Sequence, residues 1–177
     1  GVTLVRDADG VENSNQTVSV QSTEAGTVYL VRDSVTVTDL NSLINAADNL
    51  VNSVAVAANA GTTLALTGLA EGTYHAYAVD ASGNVSAISN SSVIVDNTLP
   101  VFTSATTAAN ITDSTSVGDT VYTAIATDAH GVTYSLNDTQ HFTINASTGV
   151  VTLLPSPAQA TGAHFIVPAT HAAGNPP

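Results

Sequence analysis

Most of this chain alternates polar and apolar residues with a period of two. Thr17-Val18-Ser19-Val20 alternates cleanly, as do Thr27 to Val31 and Thr73 to Val79. The same pattern runs through Thr62 to Leu66, Ser92 to Val95, Thr120 to Ala126, Val132 to Leu136, Gly149 to Leu153 and Ala163 to Val167. Val and Thr dominate these stretches, and Gly, Asn and Asp punctuate them. Short β-branched runs between turn residues predict a β-sandwich or barrel. One segment has a different period. Leu40, Leu43, Ile44, Ala47, Leu50 and Val51 fall on one helical face, which predicts a short helix over Asp39 to Val51 capped by Thr38 or Asp39. A stripe of this kind faces a core, so the helix is expected to be a packed lid over one end of the sandwich.

Asp96-Asn97-Thr98-Leu99-Pro100-Val101-Phe102 follows a predicted strand, carries a proline, and precedes a fresh set of alternating stretches. The expected architecture is all-β: two tandem β-sandwiches, with one short helix inserted in the first. Residues 1–12 form an N-terminal strand, 13–98 the first sandwich and 99–177 the second, which lacks its last strand.

Composition narrows the function. Fourteen acids stand against Arg6 and Arg32, with no lysine and a net charge of −12. That balance excludes nucleic-acid binding, because nothing neutralises phosphates. It excludes Schiff-base chemistry and lysine isopeptide cross-links as well. There is no cysteine, hence no disulfide, thiolate metal site or cysteine nucleophile. No apolar run approaches the roughly 18 residues that a spanning helix needs. A chain that starts at Gly1 and contains no methionine reads as a processed product, a cut-out fragment or a partial sequence.

Leu69-Ala70-Glu71-Gly72-Thr73-Tyr74, followed by Ala76, Ala78, Asp80 and Gly83-Asn84, resembles the turn and penultimate strand of Ig-like and fibronectin-type modules of bacterial repeat proteins. The resemblance implies that Tyr74 forms a tyrosine corner, its hydroxyl turned back to the preceding backbone. Beyond the linker, the chain resembles a bacterial cadherin-like module. The residues that carry this are Leu99 to Phe102, Ile111-Thr112-Asp113, Val117-Gly118, Ala126 to His130 and Tyr134-Ser135-Leu136, then Phe142-Thr143-Ile144, Ser147 to Val151 and Ala169 to Asn175.

That second resemblance implies calcium at the module junction, held by hard oxygen ligands. Asp96 and Asn97 of the linker and Asp128 of the second module match the family's positions, with Glu71 as a further donor. Two departures weaken the expectation: His130 and His171 stand where the family has aspartates. Imidazole is a poor Ca²⁺ ligand, and Asp128 with the two histidines would suit a transition metal better. Two solvent-facing loop histidines are the simpler expectation. A second Ca²⁺ set, made only of oxygen donors, is Asp7 and Asp9 with Asp80 and Asn84 at the outer end of the first module.

Gly1 to Asp7 also resembles the last strand of such a module, as a comparison with Val93 to Asn97 shows. A donor strand at one end and an acceptor gap at the other imply a head-to-tail homopolymer, with Val2 and Leu4 entering the neighbour's groove.

The expected function is therefore structural: a subunit of a bacterial surface fibre, extracellular and non-enzymatic. The alternatives are a stalk segment of a long calcium-dependent repeat adhesin, or a module that binds a surface carbohydrate or a protein. Scarce aromatics, three Phe, five Tyr and no Trp, speak against the carbohydrate binder. No nucleophile elbow, metalloprotease motif or phosphate loop is present, so no catalytic residue is nominated. Asn15, Asn84, Asn90, Asn110, Asn137 and Asn145 open N-x-S/T triplets, which in so Ser/Thr-rich a chain is weak support for glycosylation.

Overall fold

The computed structural model describes residues 1–108, 115–155 and 165–171. The chain divides into two compact units, Gly1–Asn97 and Thr98–Pro177. In unit 1 the strands are β1 (Val2–Val5), β2 (Val11–Glu12), β3 (Thr17–Ser22), β4 (Gly26–Arg32), β5 (Val51–Val56), β6 (Thr62–Ala65), β7 (Gly72–Asp80) and β8 (Ser92–Val95). They build a three-stranded sheet, β1-β3-β6, and a five-stranded one, β2-β8-β7-β4-β5. All neighbours are antiparallel except β2 and β8, which run parallel with Val11 beside Ile94 and Glu12 beside Val95.

The alternation in the sequence sorts residues between the two faces. Leu4, Val18 and Val20 from one sheet meet Val28, Leu30, Tyr74, Ala76, Val93 and Val95 from the other. Facing positions one residue out of phase, Val31 and Val79, are buried on the opposite side of the five-stranded sheet. The insert between β4 and β5 covers them. Its helix α1 (Leu40–Ile44) drives Leu43 into that second core, with Leu40, Val35 and Val37 packed alongside. The insert thus lies on a sheet face, and the expectation of a lid over one end of the sandwich is corrected. α1 is also shorter than the stripe predicted. A 3₁₀ turn takes Asp48–Leu50, and Val51 begins a strand. A Val-rich edge strand with partners along β4 outweighs the helical period that Leu50 and Val51 had extended.

Asp39 is the cap. Its carboxylate accepts the Ser42 backbone N–H at 2.9 Å, and the Ser42 hydroxyl accepts the Asp39 N–H at 3.1 Å, a closed capping box.

β1 overturns the assembly expectation. It pairs with β3 from Val2↔Ser22 to Val5↔Ser19, inside its own unit. Leu4 is buried in the unit 1 core with Val2 packed against it. The parity was read correctly, since Val2 and Leu4 point inward. Their groove, however, belongs to the same copy, so residues 1–12 are strands of the first unit and not a free donor.

Unit 2 contains β9 (Val101–Phe102), β10 (Thr120–Thr123), β11 (Ala126–Thr127), β12 (Val132–Tyr134), β13 (Phe142–Ile144), β14 (Val150–Leu153) and β15 (Ala169–His171). Three sheets are described: β10-β14-β13, β9-β11 and β12-β15. Phe142 and Val151 are fully buried, with the Phe165 ring 4.7 Å from that of Phe142. Gly149 shows why its place must be glycine. At φ 71°, a Cβ there would lie 2.2 Å from the Ala124 carbonyl oxygen. Of the expected strand Ala163 to Val167, positions 163 and 164 lie outside the described residues, and the strand near it is β15. The Gly174-Asn175 loop, after which the last strand of this unit was expected to be missing, lies outside the described residues.

The chain is thus nearly all β, with one short helix, and consistent with β-sandwich modules.

Candidate functional site

Among the described residues, several acidic and amide side chains close their own turns. Asp80 Oδ1 accepts the N–H groups of Ser82 and Asn84, at 2.8 and 2.9 Å, and its Oδ2 accepts from Asn84 Nδ2 at 2.7 Å. The Asn84 amide first, then these backbone donors, hold the Asp80 carboxyl below the usual carboxylate range. Asp138 repeats the device in unit 2, accepting from His141 Nδ1 at 2.8 Å and from the Gln140 and His141 backbones. The His141 side chain is the main cause of its lowered pKa. Asp9, Asp119 and Asn145 likewise accept backbone N–H groups two or three residues away. His75 Nδ1 lies 2.6 Å from Asp33 Oδ1, at the start of the insert.

Tyr74 stands where the tyrosine corner was expected. Fully buried, it donates its hydroxyl proton to the Ala70 carbonyl at 2.6 Å, with the Asn49 carbonyl 3.2 Å away. Burial raises its pKa.

The predicted outer calcium set does not assemble. Gly10-Val11 lies beside Ile94, and Ile94 lies opposite Thr73, near the start of β7. Asp80 ends that strand, seven residues on, or about 23 Å away at the usual strand rise. Asp7 and Asp9 are therefore remote from Asp80 and Asn84. A local turn signal in each segment had suggested a cluster that the strand order forbids.

Another set of polar residues lies at the end of unit 1 where β2 and β8 finish. Asp96 donates its N–H to the Glu12 carbonyl at 2.9 Å. Asn97 donates its N–H to Glu71 Oε1 at 3.2 Å, and its own Oδ1 accepts the Ser14 N–H at 2.9 Å. Glu12 and Asp96 are only 2% and 3% exposed. Burial raises the Glu12 pKa and the charges of Asp7 and Asp9 add to the rise, while the bond from the Asp7 N–H and the charge of Arg6 oppose it. Asp96, Asn97 and Glu71 were expected here from the sequence; the Glu12 carboxylate accepts instead the Asp7 N–H, at 3.1 Å.

In unit 2, Asp128 Oδ1 accepts the His130 N–H at 2.9 Å. Asp128 Oδ2 is buried and has no hydrogen-bond partner among the described residues. His171 was expected in a ligand-bearing loop. Its backbone instead belongs to β15, opposite Val132.

No family model matches the chain, and no curated protein matches it. Among solved structures, the Drosophila N-cadherin EC1-3 fragment aligns over 98% of the chain at 16% identity, with a TM-score of 0.38. The chain corresponds to 60% of that fragment's length. At that score the likeness carries no functional conclusion. No helix among the described residues is long and apolar enough to cross a membrane.

Proposed function

We propose that the chain is a non-catalytic spacer of an extracellular adhesion protein on a bacterial surface, its two sandwiches set in series along the polypeptide. The observation that carries this reading is how the reactive side chains are used. Asp9, Asp80, Asp119, Asp138 and Asn145 close their own turns, and His75 and His141 each pair with a nearby carboxylate. A site that binds and transforms a substrate needs convergent polar groups left free for it. A spacer needs its polar groups to fix loops. Antibody raised against unit 1 is expected to label intact cells of the source organism and to lose its target after brief surface proteolysis. Labelling that appears only after permeabilisation overturns the reading.

Calcium binding is a second reading, favoured by the acids at the β2–β8 end of unit 1. The Asn97 N–H bonds Glu71 Oε1 at 3.2 Å, which brings that carboxylate to the linker beside Asp96 and Asn97, and these residues offer only oxygen donors, which suits Ca²⁺ over a transition metal. Calorimetric titration with Ca²⁺ in chelator-treated buffer is expected to show binding that Glu71→Gln weakens. A flat titration at millimolar Ca²⁺ refutes this second reading and leaves the spacer reading intact.

A further inference from the structure

The chain has two arginines and no lysine, and one arginine sits where the first strand changes sheets. β1 belongs to the three-stranded sheet and β2 to the five-stranded one, so residues 6–10 carry the chain across the sandwich edge. Arg6 fixes that crossing. Its Nε donates to the Ser92 carbonyl at the head of β8, and its Nη1 donates to the Asp7 carbonyl at 2.9 Å. The guanidinium covers Gly10, where a Cβ would come within 2.7 Å of the Arg6 Cζ. The Ser91 hydroxyl adds a bond to the Leu4 carbonyl at 2.6 Å.

Strand directions give this crossing a mechanical meaning. β3 turns into β4 through Thr23, Glu24 and Ala25 and so reverses direction. β7 is antiparallel to β4, β8 is antiparallel to β7, and β2 is parallel to β8. β1 is antiparallel to β3. β1, β2 and β8 therefore all run the same way, and tension between Gly1 and the end of β8 draws β1–β2 backward while it draws β8 forward. Bonds that cross between them, Ile94 N–H to the Gly10 carbonyl at 2.8 Å and Asp96 N–H to the Glu12 carbonyl at 2.9 Å, are loaded together in shear. The Arg6–Ser92 bond crosses the same boundary.

We propose that Arg6 is a staple that makes unit 1 resist tension applied along the polypeptide, by locking the β1–β2 crossing to β8. This rests on the spacer reading, since only a chain held at both ends carries such a load. A charge-assisted hydrogen bond is stronger than a neutral one, and a side chain that bonds two carbonyls holds the crossing on both sides. The staple also accounts for an N-terminal strand retained in its own module.

The test is constant-force pulling on the full chain, which contains no native cysteine to compete with introduced handles. Handles at Gly1→Cys and Leu99→Cys load β1, β2 and β8. Handles at Asn15→Cys and Leu99→Cys bypass β1 and β2. Arg6→Ala is expected to raise the unfolding rate about tenfold in the first geometry, with little change in the second. Arg6→Lys, which keeps the charge but loses the planar fork, is expected to fall between and guards against a variant that fails to fold. An equal acceleration in both geometries means a general loss of stability and overturns the staple, as does no change in the first. If the native protein yields as easily end-to-end as in the bypass geometry, the crossing bears no load and the staple is overturned, whereas failure of the spacer reading would show in the surface-labelling experiment.

Discussion

Replacing Tyr74 by Phe removes one oxygen atom and nothing else from the core of unit 1. The ring is fully buried between the two sheets and keeps its packing in the variant. What disappears is a hydroxyl that donates to the Ala70 carbonyl at 2.6 Å, with the Asn49 carbonyl at 3.2 Å as a weaker second acceptor. The Asn49 carbonyl is still served, because the Ala70 N–H donates to it at 2.8 Å. One good hydrogen bond is lost and one half-buried carbonyl is left without its partner, a cost of about 1–2 kcal/mol. In a domain of this size each kcal/mol moves the midpoint by roughly 4–8 °C, so the melting temperature of unit 1 should fall by about 5–15 °C. Differential scanning calorimetry of the whole chain is the assay, since a chain without tryptophan gives little fluorescence contrast. Tyr74→Ala, which also empties the ring's volume, should cost about 3–5 kcal/mol. A shift below about 2 °C for Tyr74→Phe would show that the hydroxyl has no structural role, and the tyrosine corner would be a resemblance without content.

Asp39→Ala opens the capping box of α1 and should cost about 1 kcal/mol, read as faster hydrogen exchange over Leu40–Ile44 with the inter-sheet core of unit 1 unaffected. Gly149→Ala drives a Cβ into the Ala124 carbonyl at a positive φ and should destabilise unit 2 by about 2 kcal/mol or more, seen as a selective loss of its calorimetric transition. The pH dependence has a definite sign. Asp80 and Asp138 are depressed from 3.8, so their stabilisation is complete above that value and disappears as pH falls through the lowered folded values. Glu12 is raised from 4.5 by burial, so its contribution is favourable below 4.5 and is lost as pH rises through the folded value. Glu12→Gln should accordingly raise the unit 1 melting temperature at pH 7 in chelator, while a decrease would contradict the burial argument. NMR titration of the Asp80 and Asp138 carboxyls should give values below those of free aspartate.

Much of the fold could be read from the chain because period-two alternation and turn residues are local signals. Thr17 to Val20, Thr73 to Val79 and Ser92 to Val95 show which faces are buried without any partner being known. Asp39 as a helix cap and Tyr74 after its glycine turn are equally local. Val51 to Val56 was obscured because Leu50 and Val51 completed a helical stripe. Only the ladder of β4 beside it shows that pairing prevails. Val11-Glu12 is too short to have a period at all, and its identity as a strand comes entirely from β8.

The composition settled, with no structure needed, that the chain is anionic, free of thiols and built for β-sheets. The tertiary structure decided which ends of those strands meet. It separated Asp7 and Asp9 from Asp80, because a strand places its two ends some 20 Å apart however similar their loops look. It brought Glu71 to Asn97, 26 residues on in sequence, because β7 and β8 pair with Gly72 opposite Val95. It also returned β1 to its own module. A sequence shows that a strand is apolar on one side. Which groove covers that side depends on the free energy of every available edge, and here the nearest edge is β3 of the same copy.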